Sequence, residues 1–107
     1  MEFVLDLYDI TKTFPAEEKF VLIPQMRRSV ISIPSNIAEG AGRKTKKEFA
    51  NFLHVAQGSL SELDTQLQIA LQLKYVDTDL CNKLNTTMER IDKILTGLIR
   101  NQRKDEQ

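Results

Sequence analysis

Ile23, Met26, Val30, Ile33 and Ile37 are spaced three, four, three and four residues apart, and Ala41 continues the row. Apolar residues at that spacing line one face of an α-helix. The rhythm returns further along the chain. Phe49, Ala56, Leu63 and Ala70 recur every seven residues, with Leu53, Leu60 and Leu67 beside them. Leu80, Leu84, Ile91, Leu95 and Leu98 form another row, and Phe3, Val4, Leu7 and Tyr8 a short one. No stretch reads as a strand. The pattern predicts helices over residues 2–13, 16–42, 46–74 and 79–101. Sustained three-four spacing with short connections points to an all-α antiparallel up-down four-helix bundle, one domain spanning 1–107, with 101–107 as a frayed polar tail.

Breaks and caps sharpen these bounds. Pro15 suits the opening of a helix, and Glu17 and Glu18 favour the positive end of its dipole. Pro24 and Pro34 fall inside the longest apolar row. The row stays in phase across both, so one bent helix over 16–42 is expected. Gly40 and Gly42 are natural stops. Thr45 followed by Glu48 is a capping box that starts the third helix, and Asp77 or Thr78 caps the fourth.

The segment Arg27–Phe49 holds six basic residues and two acidic ones, with two glycines. A phosphate-binding P-loop needs a preceding strand and four residues between its glycines. Here one residue separates Gly40 from Gly42, and a helix precedes them, so the segment reads as helix end, turn and helix start. Arg43, Lys44, Lys46 and Lys47 crowd that turn. At 100° per residue, Arg28, Ser32, Ser35, Glu39 and Arg43 fall opposite the apolar row. Such a surface is either a solvated rim, with Glu39 and Arg43 paired, or a place to hold phosphates.

Composition narrows the chemistry. The chain has 107 residues, 41% hydrophobic and 28% charged, enough apolar material for a packed core. Fifteen basic and fifteen acidic residues cancel, so nucleic-acid binding would have to come from a local patch. One cysteine, Cys81, excludes an internal disulfide. The longest apolar run, Phe20 to Ile23, is far too short for a bilayer, and no apolar signal segment opens the chain. A soluble, cytoplasmic protein without membrane contact is expected. His54, the single histidine, faces away from the apolar row of its helix. Cys81 reads as packing at the rim of the core. No Glu-x-x-His pair occurs, so no di-metal site, other metal or cofactor is indicated, and neither is an enzyme. Asn36 and Ser32 are placed to bond carbonyls freed by Pro34; alternatively Asn36 and Glu39 form a small site with Ser35.

A second apolar set lies off the main rows: Val55, Ile69 and Leu73 on the third helix, Phe20 and Ile31 on the second. Gly58 lies mid-helix, where glycine costs about 1 kcal/mol relative to alanine. Close approach by another helix, from the bundle or a neighbouring subunit, would offset that. These six residues are the candidate oligomer interface.

The stretches FPAEEKFVLIPQMRRSVISIPSNIAEGAGR and FANFLHVAQGSLSELDTQLQIALQLKYV resemble the bacterial four-helix-bundle proteins encoded in intervening sequences of 23S ribosomal RNA genes. Asn36-Ile37-Ala38-Glu39-Gly40, and Gly58-Ser59 with Glu62-Leu63, carry the resemblance, which covers residues 8–100. It implies a left-handed bundle assembling as a homopentamer. A related group serves reverse transcriptases of diversity-generating retroelements, through a basic pentamer surface that engages nucleic acid and the polymerase. By that similarity Arg27, Arg28, Arg43, Lys44, Lys46 and Lys47 are candidate contacts to RNA or DNA. Relatives have a longer first helix, and the retroelement accessories are more basic overall. The expectation is a non-enzymatic homo-oligomeric interaction module with a basic helix-turn patch. The alternative is a structural or protein-binding scaffold with no nucleic-acid role.

Overall fold

The computed structural model describes residues 1–104. Four helices run in chain order: α1 Glu2–Thr11, α2 Leu22–Ala41, α3 Lys46–Gln72 and α4 Thr78–Lys104. A short 3-10 turn, Ala16–Glu18, lies between α1 and α2. Among the described residues there is no strand. α2 packs on α3, α3 on α4, and α1 on α2. The molecule is a rod of 49 × 25 × 20 Å, as helices of about 40 Å require.

The expected single helix over 16–42 is corrected. It is broken at Lys19–Val21, and α2 begins only at Leu22. Pro24 is the physical reason. As the third residue of α2 it removes an N–H that has no intrahelical partner there. Its ring crowds the carbonyl of Phe20, which disfavours extending the helix back through that residue. Pro34 is different: α2 runs through it without a break. The carbonyl that Pro34 deprives of its usual donor belongs to Val30. Asn36 bonds elsewhere, its Nδ2 donating to the Ser32 carbonyl at 2.7 Å and the Ser32 hydroxyl at 2.8 Å.

α1 also ends earlier than expected, at Thr11. Thr11 and Thr13 donate their hydroxyls back to the carbonyls of Tyr8 and Ile10, and Pro15 disfavours helix in the residue before it. α3 starts at the expected cap. Thr45 Oγ1 accepts the Glu48 N–H at 3.1 Å, and its hydroxyl lies 3.0 Å from the Glu48 carboxylate. α3 ends two residues early, in a Schellman turn with Lys74 at φ 64°. Tyr75 N–H reaches the Ala70 carbonyl, and Lys74 N–H that of Leu71. Asp77 caps α4, accepting the Leu80 N–H at 2.8 Å. α4 continues to Lys104, so residues 101–104 are helical rather than frayed. The rest of the expected tail, 105–107, lies outside the described residues.

Gly40 is no stop signal either. It is buried inside α2, where a Cβ would lie 2.7 Å from Phe52 Cβ and 2.8 Å from Phe49 Cδ1. It lets α2 and α3 meet closely at their shared turn. The stop falls at Gly42, with φ −84°, a conformation open to any residue.

The core is one cluster. Leu7 from α1, Met26 and Val30 from α2, Leu53, Leu63 and Leu67 from α3, and Leu95 from α4 are almost wholly enclosed. On α4 the buried row is centred on Cys81, Leu84, Met88, Leu95 and Ile99, with Leu80, Ile91 and Leu98 flanking it. Cys81 is therefore in the core at 1% exposure, not at its rim, and serves as a small hydrophobe.

Candidate nucleic-acid and subunit interfaces

The six candidate cations do not form one patch. Arg27 is bound inside the fold. Its Nε donates to Thr11 Oγ1 at 2.9 Å and its Nη2 to the Tyr8 carbonyl at 3.4 Å, with the guanidinium 4.5 Å from the Tyr8 ring centroid. It fastens α1 to α2. Arg28 is exposed mid-rod, fifteen residues before Arg43 and so about 22 Å away along α2. Arg43, Lys44, Lys46 and Lys47 stay together, all exposed, on the turn between α2 and α3. Arg43 is paired with Glu39 at 2.6 Å and lies 5.0 Å over the Phe52 ring. The pairing predicted as the alternative to phosphate binding is thus present, at an exposed site where such a pair is weak.

Two further cations join this end. α4 runs antiparallel to α3, so its last turns return to the level where α3 starts. Arg103 Nη2 lies 3.3 Å from His54 Nε2, and since arginine can only donate, the imidazole accepts. Arg100, Arg103, His54, Gln57 and Thr96 line a cleft of about 310 Å³ between the two helices. His54 is only eight residues, about 12 Å, beyond Lys46. One end of the bundle therefore carries Arg43, Lys44, Lys46, Lys47, Arg100 and Arg103. Sequence reading missed Arg100 and Arg103 because they follow the turn by more than fifty residues. Antiparallel topology was the signal that could have found them.

The opposite end holds mixed charge. There Tyr75 donates its hydroxyl to the Glu18 carboxylate at 2.7 Å. That bond, with partial burial and the negative charges of Glu18 and Glu17, pushes the phenol up to about 12. The ring packs on Phe14 with centroids 5.2 Å apart.

The candidate subunit contacts divide as well. Val55, Ile69 and Leu73 are 53%, 45% and 49% exposed, and with Gly58 they share one side of α3 within about 60°. Gly58 has open space, no heavy atom lying within 4 Å of a Cβ built there. No helix of the bundle approaches it, which removes the within-bundle explanation. Phe20 lies elsewhere, 85% exposed beside the cleft between α1 and α2, and Ile31 is on the outer side of α2.

Between α2 and α3 the Ser59 hydroxyl bonds that of Ser32 at 2.7 Å. Ser32, placed by the wheel opposite the apolar row, instead borders the helix contact, with Asn36 and Ser59 around it. Asn36, Ser32 and Ser59 thus tie the seam together, and Ser35 and Glu39 remain exposed beside it.

The sequence pattern of the 23S rRNA-intervening sequence proteins matches residues 1–97. The chain belongs to this family. A solved structure from Bacteroides thetaiotaomicron, a protein of unknown function from the S23 ribosomal protein family, superposes with a TM-score of 0.78 at 25% identity. The match covers 90% of this chain and 87% of that one. No curated protein matches the chain. Neither description names a catalytic activity. Among the described residues, no helix is long and apolar enough to cross a membrane, and no group of three His, Cys, Asp or Glu is placed to hold a metal.

Proposed function

We propose that this intervening-sequence protein is a non-enzymatic, self-associating bundle whose basic end holds the phosphate backbone of RNA or DNA. The supporting observation is the segregation of charge. Among the described residues, six cations gather at one end, with Glu39 and Glu48 the carboxylates at the α2–α3 turn, in a chain with no net charge. Lysines and arginines so placed neutralise phosphates and release counterions without reading sequence. The test is binding of a structured RNA and of duplex DNA across a salt series. Affinity should fall steeply as salt rises, and Lys44, Lys47, Arg100 and Arg103 all changed to Gln should lower it at least a hundredfold and flatten the salt slope. No binding at low salt removes the reading.

Self-association is favoured by a separate feature. The exposed row Val55–Ile69–Leu73 flanks an open Gly58, a surface on which a second copy's helix would approach closely. A homopentamer is the assembly that the earlier resemblance implies. Sedimentation or native mass spectrometry tests it. Val55→Lys with Ile69→Lys should give monomers of unchanged helicity, and a wild-type monomer at micromolar concentration would contradict the assembly. An oligomer that binds no nucleic acid would leave the scaffold alternative standing.

A further inference from the structure

Mid-rod, away from the basic end, the seam between α2 and α3 opens into a groove of about 340 Å³. Gln25, Arg28 and Ser32 line it from α2; Ser59, Glu62 and Gln66 line it from α3. Three of these groups lack complements. Gln66 is 9% exposed, yet its Oε1 is buried with no hydrogen-bond partner. A buried carbonyl oxygen in that state calls for an N–H or O–H donor. Arg28 and Glu62 are both exposed, and among the described residues neither is in an ion pair.

The Ser32–Ser59 hydrogen bond fixes their register. Counting from it in opposite directions, Arg28 lies four residues along α2 and Glu62 three along α3, at heights that agree within about 1.5 Å. Gln25 and Gln66 are each seven residues from the contact and so face each other one turn further on. The groove therefore presents a guanidinium opposite a carboxylate. About 6 Å along lie one amide and one unfilled carbonyl.

We propose that this groove binds a free α-amino acid with an amide side chain, of the glutamine type. Its carboxylate accepts from Arg28, a bidentate match for a guanidinium. Its ammonium donates to Glu62. Its side-chain amide spans the remaining turn, donating to Gln66 Oε1 and leaving its own oxygen for the Gln25 amide. One small molecule then satisfies all three groups, in a space of the size that small-ligand sites use. The site shares no residue with the basic end; Glu62 does lie on the Val55–Gly58–Ile69–Leu73 side of α3, so the titration below is run on the Val55→Lys, Ile69→Lys monomer as well as on the wild type.

The test is calorimetric titration of the full chain with L-glutamine, L-glutamate and L-leucine in the millimolar range. L-glutamine should bind saturably and L-leucine at least tenfold more weakly. Arg28→Gln and Glu62→Gln should each weaken L-glutamine binding at least tenfold. Gln66→Leu should erase the preference for glutamine over leucine. The variant with four cations removed from the basic end should bind L-glutamine normally. Absence of heat with wild-type protein overturns the proposal; so does equal binding of leucine and glutamine, or binding that survives loss of Arg28 and Glu62.

Discussion

The two ends of the bundle are held in different ways. At the end containing the α1–α2 and α3–α4 connections, polar and aromatic side chains fasten one segment to another. Arg27 grips Tyr8 and Thr11, Tyr75 grips Glu18, and Phe14 packs on Tyr75. At the α2–α3 turn the fastening is steric: α2 meets Phe49 and Phe52 at a glycine. Lys44, Lys47 and Arg100 stand exposed there, Arg43 is paired with Glu39 at the surface, and Arg103 contacts His54. Charge is bonded within the bundle at one end and mostly exposed at the other.

The largest expected effect is at the steric end. Gly40→Ala forces a methyl against the Phe52 Cβ, which is not the free tip of a side chain. It should destabilise by about 1–3 kcal/mol in urea unfolding. An unchanged midpoint would mean that the turn has slack. Next comes the polar clamp. Arg27→Met keeps the hydrophobic stem but removes two hydrogen bonds and the cation over Tyr8. A loss of about 1–2 kcal/mol is expected, with α1 amides exchanging faster than those of α3. Lys74→Gly should act in the opposite direction. It relieves a left-handed residue in the Schellman turn and should stabilise by about 1 kcal/mol, read as a raised Tm.

The smallest effect tests the Tyr75–Glu18 bond through pH. The phenol is raised from its ordinary 10 to about 12, so the folded state favours the protonated form. That contribution is complete below pH 10 and disappears as pH rises from 10 to 12. Wild-type Tm should fall more steeply across that window than the Tm of Tyr75→Phe, which has no such proton to lose. Parallel slopes would show that the bond contributes nothing.

Most of the architecture was legible because apolar periodicity is a property of each helix alone. The row Ile23–Ile37 and its counterpart Leu53–Leu67 are read from spacing, and the Thr45 and Asp77 caps from single residue types. Pro24 misled because a proline in a first turn and one in mid-helix look alike until the helix start is known. Gly40 misled because its reason is Phe52, a neighbour across the turn. On α4, Cys81, Met88 and Ile99 share the centre of the buried row with Leu84 and Leu95, and favouring leucines pushed Cys81 to the rim. The basic end was half legible. The local run Arg43–Lys47 was visible, while Arg100 and Arg103 needed the topology. Gln66 shares the seven-residue spacing of Ser59 and Leu73 beside the core row, but spacing alone does not reveal that its oxygen lacks a donor.

Six of the fifteen basic residues of a neutral chain cluster at one tip of its longest dimension. If the proposed binding holds, the field of a polyanion would turn such a particle before contact so that it meets it tip first. Rotating copies about an axis parallel to the rods would bring every positive tip to the same side. A ring would then concentrate potential on one face while the particle as a whole stayed uncharged.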